Sequence, residues 1–179
     1  MEHGVIHEAA DLRRLLHITD RMTGEECFRA DLSYGDELYI ECGEVRQYRE
    51  GPMRGRSYGA WQFYTRNSDW NLKSRSKSLV TSMEGDPSVI CAAVRSLVGH
   101  RVSEFAIDYP DLGVKLRFGD KYSFEMQPRR VRTIESQPGR DDSDEEVPEL
   151  AHWELITPDG MILAIWRVNE WTLDEYHTT

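Results

Sequence analysis

The sequence has few of the residues and motifs on which common catalytic and metal sites depend. Its three cysteines, Cys27, Cys42 and Cys91, lie far apart and form no C-x-x-C pair, which argues against a disulfide framework or a zinc site and predicts buried, reduced thiols. The G-x-S-x-G, Walker and G-x-G-x-x-G motifs are all absent. We therefore predict no metal, no cofactor and no catalytic residue, although a site assembled only in three dimensions would leave no such motif.

Long apolar runs are also missing. No stretch approaches the roughly 18 apolar residues that a membrane-spanning helix needs, and the first eight residues carry acidic charge instead of the apolar run of a signal peptide. We therefore expect no membrane-spanning segment and no export by a signal peptide.

Basic residues are fewer than acidic residues. The chain has 32 Asp and Glu against 22 Lys and Arg, which gives a formal net charge of −10. Such an excess repels nucleic-acid phosphates and disfavours nucleic acid as a partner. It suits a basic partner, although the same charge could serve only to keep the protein soluble.

The apolar and aromatic residues that are present suffice for a folded core. Of the 179 residues, 39% are hydrophobic, and they include five Trp, eight Tyr and five Phe. A chain of this length is expected to bury about 70% of the surface that its unfolded form exposes. We therefore expect an ordered structure of about one domain.

An internal repeat relates residues 31–42 to residues 115–126 at a constant offset of 84. In each copy a Gly-Asp pair interrupts a run in which apolar and polar residues alternate, as in a β-hairpin with one buried face. The residues predicted to face inward are Ala30, Leu32, Tyr34, Leu38, Ile40 and Cys42 in the first copy, and Val114, Leu116, Phe118, Tyr122, Phe124 and Met126 in the second.

Each hairpin is followed by a strand that begins with tryptophan. These strands, residues 61–65 and 153–157, precede the turn signals at residues 66–69 and 158–160, and another apolar run follows each turn. The pattern predicts a second hairpin in each half.

A helix is predicted upstream of each first hairpin. The clearer one has Asp86 as N-cap, Pro87 at its first position, an apolar stripe from Val89 to Leu97, and Gly99 at its end. The other repeats the same spacing from Val5 to Leu16 with weaker caps.

Together these elements predict the α+β fold class, with two similar halves, residues 1–78 and 79–179, joined in one compact pseudo-symmetric unit. Each half is expected to be a helix followed by antiparallel strands in two β-hairpins. The alternative is coincidence, because alternating strands with Gly-Asp turns are common.

The loop at residues 43–59 is rich in arginine. Arg46, Arg49, Arg54 and Arg56, with Tyr58, are candidate ligand-binding residues, since arginine grips phosphate and tyrosine stacks on a base. The other interpretation is a solvated loop.

The loop near residue 141 is acidic. Asp141, Asp142, Asp144, Glu145 and Glu146 are candidate partner-binding residues, because a flexible acidic arm can engage a basic surface. The other interpretation is a solvated insertion that repels itself.

The second half resembles a group of small bacterial proteins of unknown function, some of which are similar to immunity proteins of polymorphic toxin systems. The resemblance rests on residues 97–102, 116–120 and 153–160 and on Trp171. It implies a non-catalytic cytoplasmic protein that binds and occludes a basic partner such as a cognate toxin.

Two other functions stay open from the sequence. One is a small-ligand or nucleotide-sensing module that uses a cleft between the halves together with the arginine-rich loop. The other is an enzyme with a hidden site, such as His100 or His152 beside Glu104 or Glu154.

Overall fold

A computed structural model of the chain describes residues 1–66, 68–129, 151–166 and 169–176. These residues form twelve antiparallel strands in two sheets and two short α-helices, so the α+β class is confirmed, with sheet predominant. The helices are α1, Arg13–Thr19, and α2, Pro87–Val94. The strands are β1 Glu2–Val5, β2 Cys27–Leu32, β3 Leu38–Gln47, β4 Ser57–Thr65, β5 Ser68–Ser74, β6 Lys77–Thr81, β7 Val102–Asp108, β8 Gly113–Phe118, β9 Tyr122–Pro128, β10 Trp153–Ile156, β11 Met161–Trp166 and β12 Glu170–Glu175.

Consecutive blocks of strands along the chain belong to one sheet and then to the other. The seven-stranded sheet has the order β1-β12-β11-β10-β4-β3-β2, and the five-stranded sheet has the order β6-β5-β9-β8-β7. The chain therefore leaves the larger sheet after β4 and returns to it at β10. The boundary predicted at residues 78 and 79 falls inside β6.

The second hairpin predicted for residues 61–72 is wrong. Strand β4 pairs with β3 and β10, whereas β5 pairs with β6 and β9. The segment read as a tight turn is a crossover between sheets, because the main-chain N–H of Arg66 and the hydroxyl of Ser68 both donate to the carbonyl of His152, at 3.0 and 2.7 Å. The corresponding hairpin in the later part of the chain, β10 with β11, does form.

The two Gly-Asp hairpins are confirmed as β2–β3 and β8–β9. Gly35 and Gly119 adopt φ values of +60° and +59°, which residues with a Cβ rarely adopt. All six inward residues predicted for the second hairpin are buried. In the first hairpin Tyr34 is the error, since it follows the end of β2 and is 84% exposed.

The second predicted helix is confirmed, and the first begins later than expected. The Asp86 carboxylate accepts a hydrogen bond from the Ser88 N–H at 2.8 Å and caps α2. Val5 lies in β1, where it pairs with Glu170 of β12, so it takes no part in a helix. Glu8 and Asp11 then form a capping box that starts the helical turn leading into α1.

The sheets pack face to face through aromatic side chains. Phe63 of β4 lies 5.9 Å from Phe105 of β7 and 6.1 Å from Phe124 of β9, measured between ring centroids. Trp153 of β10 lies 6.1 Å from Phe105. Such pairs contribute about 0.5–1.5 kcal/mol each beyond the area that they bury. Within the described ranges, no helix is long and apolar enough to cross a membrane.

Candidate functional site

The arginine-rich loop is the far end of a long hairpin formed by β3 and β4. Strand β10 pairs with β4 only from Gln62 to Thr65, while β3 and β4 stay paired as far as Gln47 and Ser57. The hairpin therefore extends past the strand beside it. Its register shifts between Cys42 and Val45, which adds local twist.

Gly59 makes this irregular stretch of the hairpin possible. A Cβ at this position would lie 2.8 Å from both the main-chain N and the main-chain O of Cys42. The close approach of β4 to β3 therefore requires glycine here.

A surface cavity of about 870 Å³ opens at the far end of the hairpin. It is lined by Glu44, Arg46, Gln47, Tyr48, Arg49, Arg54, Gly55 and Tyr58. Four predicted ligand-binding residues, Arg46, Arg49, Arg54 and Tyr58, thus come together, whereas Arg56 is not part of the lining. Because one hairpin supplies every lining residue, this cavity is not the cleft between halves that the sequence led us to expect. We call it the Arg-Tyr cavity.

Two tyrosines form one wall of the Arg-Tyr cavity. The rings of Tyr48 and Tyr58 have centroids 4.3 Å apart and planes inclined by 35°. Burial raises the pKa of Tyr48, and the neighbouring Tyr176 and Glu41 act in the same direction. The Tyr48 phenol is therefore neutral at physiological pH, and the two rings together offer an aromatic surface.

The arginines of the cavity differ in how they are held. Arg46 is anchored, since it donates to the carbonyl of Pro158 at 2.7 Å and to the Glu44 carboxylate at 3.2 Å. Arg49 and Arg54 are exposed, and within the described ranges neither has a carboxylate partner. Their planar guanidinium groups are therefore free to bind a phosphate or carboxylate through paired hydrogen bonds.

A row of polar side chains lies behind the tyrosines on the outer face of the seven-stranded sheet. Tyr48 lies near Gln62, which accepts a hydrogen bond from the Tyr64 hydroxyl at 2.9 Å. Glu41 lies opposite Gln62 and is almost completely buried. Sequence reasoning missed this row, because the alternation in β3 and β4 marks these positions only as outward-facing.

Glu41 is the least satisfied member of the row. Its Oε2 atom lies 3.3 Å from the Arg29 Nε but has no hydrogen-bond partner among the described residues. Burial raises the pKa of Glu41, against the opposing effects of Arg29 and the Gly59 N–H. The carboxylate is therefore held in an environment that favours its protonated form.

Among the described residues, the carboxylates that the sequence suggested beside His100 and His152 both pair with arginines. Glu154 accepts hydrogen bonds from Arg66 at 2.6 and 2.8 Å, and Glu104 pairs with Arg117 at 2.8 Å. The ring of His100 packs edge-on against Tyr122 at 5.1 Å. Both carboxylates are therefore committed to arginines.

No group of three or more potential metal ligands occurs among the residues that the structure describes. His3 and His7 are four residues apart, which is ligand spacing on a helix, but His3 lies in β1. The acidic candidates Asp141, Asp142, Asp144, Glu145 and Glu146 lie outside the described residues.

Comparisons of this chain with protein-family models, curated proteins and solved structures find no match. The resemblance to immunity proteins therefore stays a prediction, and functional inference depends on the geometry of the Arg-Tyr cavity.

Proposed function

We propose that the protein is a non-catalytic small-ligand or nucleotide-sensing module whose ligand binds in the Arg-Tyr cavity. The observation that carries this proposal is that two exposed arginines, Arg49 and Arg54, share one cavity with the adjacent rings of Tyr48 and Tyr58. These cations lie on a chain of net charge −10, so local chemistry and overall charge have opposite signs.

The cavity has the size and chemistry of a small anion site. Its volume of about 870 Å³ lies within the range of about 300–1,000 Å³ that is usual for ligand pockets. Arginine forks recognise phosphate oxygens, and a tyrosine face accepts a base at about 1–3 kcal/mol per stacked base. A nucleotide or an aromatic phosphorylated metabolite satisfies both requirements.

The test is a thermal-shift screen against nucleotides and phosphorylated metabolites, followed by calorimetric titration of each compound that stabilises the protein. We expect Arg49→Gln to weaken binding about tenfold and the Arg49→Gln, Arg54→Gln double variant further, because each substitution removes a charged hydrogen bond worth about 1.5–3 kcal/mol.

Arg56→Gln is the matched control for this test. Arg56 is exposed on the same hairpin but does not line the cavity, so its loss changes the net charge equally without removing a contact. Equal weakening by Arg56→Gln, or the absence of any stabilising compound, would contradict the proposal.

As a second candidate function, we propose a bacterial cytoplasmic protein of immunity type that occludes a basic partner, such as a cognate toxin. The net charge of −10 supports it, as does the concentration of carboxylates at Asp141, Asp142, Asp144, Glu145 and Glu146. A partner captured from the native host should bind less tightly as salt rises.

Two variants test the acidic segment. Deletion of residues 140–149 removes both charge and length, while Asn and Gln at the five acidic positions remove charge alone. We expect both variants to weaken partner binding and to reduce its salt dependence by similar amounts. Unchanged affinity and salt dependence in both variants would exclude the segment as the binding element.

We also infer that the chain consists of two similar halves that have exchanged strands. The first half supplies β2-β3-β4 to the seven-stranded sheet and β5-β6 to the five-stranded sheet. The second half does the opposite, since it supplies β7-β8-β9 to the five-stranded sheet and β10-β11 to the seven-stranded sheet. A short helix precedes each three-strand block. The sequence repeat supports a duplication in which β2 and β3 correspond to β8 and β9, and the tryptophan strand β4 corresponds to β10.

A further inference from the structure

Two cysteines that stand 15 positions apart in the sequence face each other in the fold. Cys27 of β2 and Cys42 of β3 are cross-strand partners. The neighbouring pairs Leu32 with Leu38 and Ala30 with Ile40 would, if continued, place Gly43 opposite Cys27. A bulge between Cys27 and Arg29 shifts the register by one residue and brings Cys42 there instead.

The hydrogen bonds around Cys27 show which kind of cross-strand pair this is. The Cys27 N–H donates to the His100 carbonyl at 2.8 Å, and the Cys27 carbonyl accepts from the Gly99 N–H at 2.9 Å. Beside them, the Gly43 N–H donates to the Glu26 carbonyl at 2.9 Å. Cys27 therefore directs its main-chain groups away from Cys42, as in a non-hydrogen-bonded pair.

A non-hydrogen-bonded pair has the geometry that a disulfide needs. Its Cα atoms lie about 4.5 Å apart, and disulfides span Cα separations of about 4.4–6.8 Å. Both thiols are free and buried, and the Cys27 thiol donates to the Arg29 carbonyl at 3.6 Å. The neighbouring Cys27 and burial raise the pKa of Cys42, so exchange in the folded state is slow.

We propose that Cys27 and Cys42 are a redox modification site that closes to a cross-strand disulfide when a low-molecular-weight disulfide such as oxidised glutathione prevails. Cys91 is half-buried near the Asp31 carboxylate and stays a thiol. In a reducing compartment the pair remains two thiols, as the structure shows it.

The reaction balances as two exchanges. One cysteine thiolate attacks oxidised glutathione, forms a mixed disulfide and releases one glutathione thiolate. The second cysteine thiolate attacks the mixed disulfide and releases the other. The two protons lost by the protein thiols end on the two glutathiones, so the protein loses two hydrogens and one glutathione disulfide is reduced.

The disulfide would fix edge strand β2 to the base of the hairpin that carries the Arg-Tyr cavity. It would also close the intervening residues into a loop in the unfolded chain, which favours the folded state. The proposal rests on the β2–β3 register alone, so its failure would not bear on ligand binding in the cavity.

The experiment refolds the whole protein from denaturant, once with oxidised and reduced glutathione and once with dithiothreitol, and then alkylates the remaining thiols. Trypsin separates the three cysteines, because Cys27, Cys42 and Cys91 fall in residues 22–29, 30–46 and 78–95. We expect the first two peptides to be linked and only Cys91 to be alkylated. The oxidised protein should be lighter by two hydrogens before alkylation and should unfold at a higher temperature, and dithiothreitol should reverse both changes.

Cys91→Ala is the matched control and should oxidise as the unchanged protein does, while Cys42→Ala should not. Peptide mapping of the unchanged protein decides the question even if Cys42→Ala folds poorly. The proposal is overturned if all three thiols are alkylated after refolding in glutathione. A disulfide that includes Cys91 also overturns it. So does a Cys27–Cys42 disulfide that forms only in protein that has lost the near-ultraviolet circular dichroism of the folded state.

Discussion

Charged side chains on the outer face of the larger sheet show that burial and ion pairing have opposite effects on a side-chain pKa. Arg66 is half-buried, and its guanidinium lies 3.0 Å from Glu37 and 2.6 Å from Glu154. Burial alone would lower the pKa of Arg66, but the two carboxylates outweigh it and raise that pKa. Glu41 on the same face is the opposite case, since burial there outweighs Arg29.

The imbalance at Glu41 predicts a pH dependence of stability. Because its folded pKa lies above the ordinary value of 4.5, the folded state binds this proton more tightly than the unfolded state does. The contribution of Glu41 to stability is therefore most favourable below pH 4.5 and declines as pH rises through the folded pKa. Glu41→Gln should remove that decline, so the variant should gain stability relative to the unchanged protein as pH rises above 4.5.

Urea unfolding at several pH values measures the Glu41 effect. Glu50→Gln is the control, since Glu50 is an exposed glutamate of the same hairpin. The stability difference between Glu41→Gln and the unchanged protein should change more with pH than that of Glu50→Gln. Equal profiles for the two variants would mean that burial does not govern Glu41.

At the scale of elements, the β3–β4 hairpin depends on a glycine that the alternation of its strands does not explain. Gly59 lies opposite Val45, beside the register shift, and its lack of a side chain lets β4 approach Cys42. The hairpin brings the cavity residues together because its two arms are close in sequence. For this reason the loop composition was enough to predict four of them.

Gly59→Ala should destabilise the protein by about 1–3 kcal/mol, since the added Cβ meets main-chain atoms that cannot move aside cheaply. Gly85→Ala is the matched control, because nothing lies within 4 Å of its added Cβ and the site is exposed. That control should change stability by less than about 1 kcal/mol. Chemical denaturation of both variants measures the difference, and equal effects would contradict the close-approach argument.

At the scale of the whole molecule, neither sheet is complete without strands from both parts of the chain. In the larger sheet β4 pairs with β10, and in the smaller sheet β5 pairs with β9. The aromatic contacts of Phe63 with Phe105 and Phe124 join the same two parts. The halves inferred above are therefore expected to fold only together.

Fragments 1–84 and 85–179, cut in the exposed segment between β6 and α2, test this expectation. Each fragment alone should lack the cooperative unfolding and the dispersed amide spectrum of a folded protein, because its aromatic face would have no facing sheet. A one-to-one mixture should recover both signals, measured by circular dichroism and nuclear magnetic resonance. A fragment that folds alone would show that the parts are independent domains.

The sequence by itself determined the local features of this protein. The hairpins at Gly35 and Gly119, the cap at Asp86 and the gathering of arginine and tyrosine at residues 43–59 each depend on residues close together in the chain. Alternation, capping and turn chemistry act over such distances.

The tertiary structure alone decided which strands share a sheet. The sequence predicts one hairpin over residues 61–72, yet β4 and β5 lie in different sheets, because the His152 carbonyl holds the crossover and each strand also pairs with a strand distant in the sequence. Two other features were likewise decided by the tertiary structure alone. They are the bulge that brings Cys42 opposite Cys27 and the burial of Glu41. Pairing between distant strands depends on the sum of many contacts, and no local pattern encodes that sum.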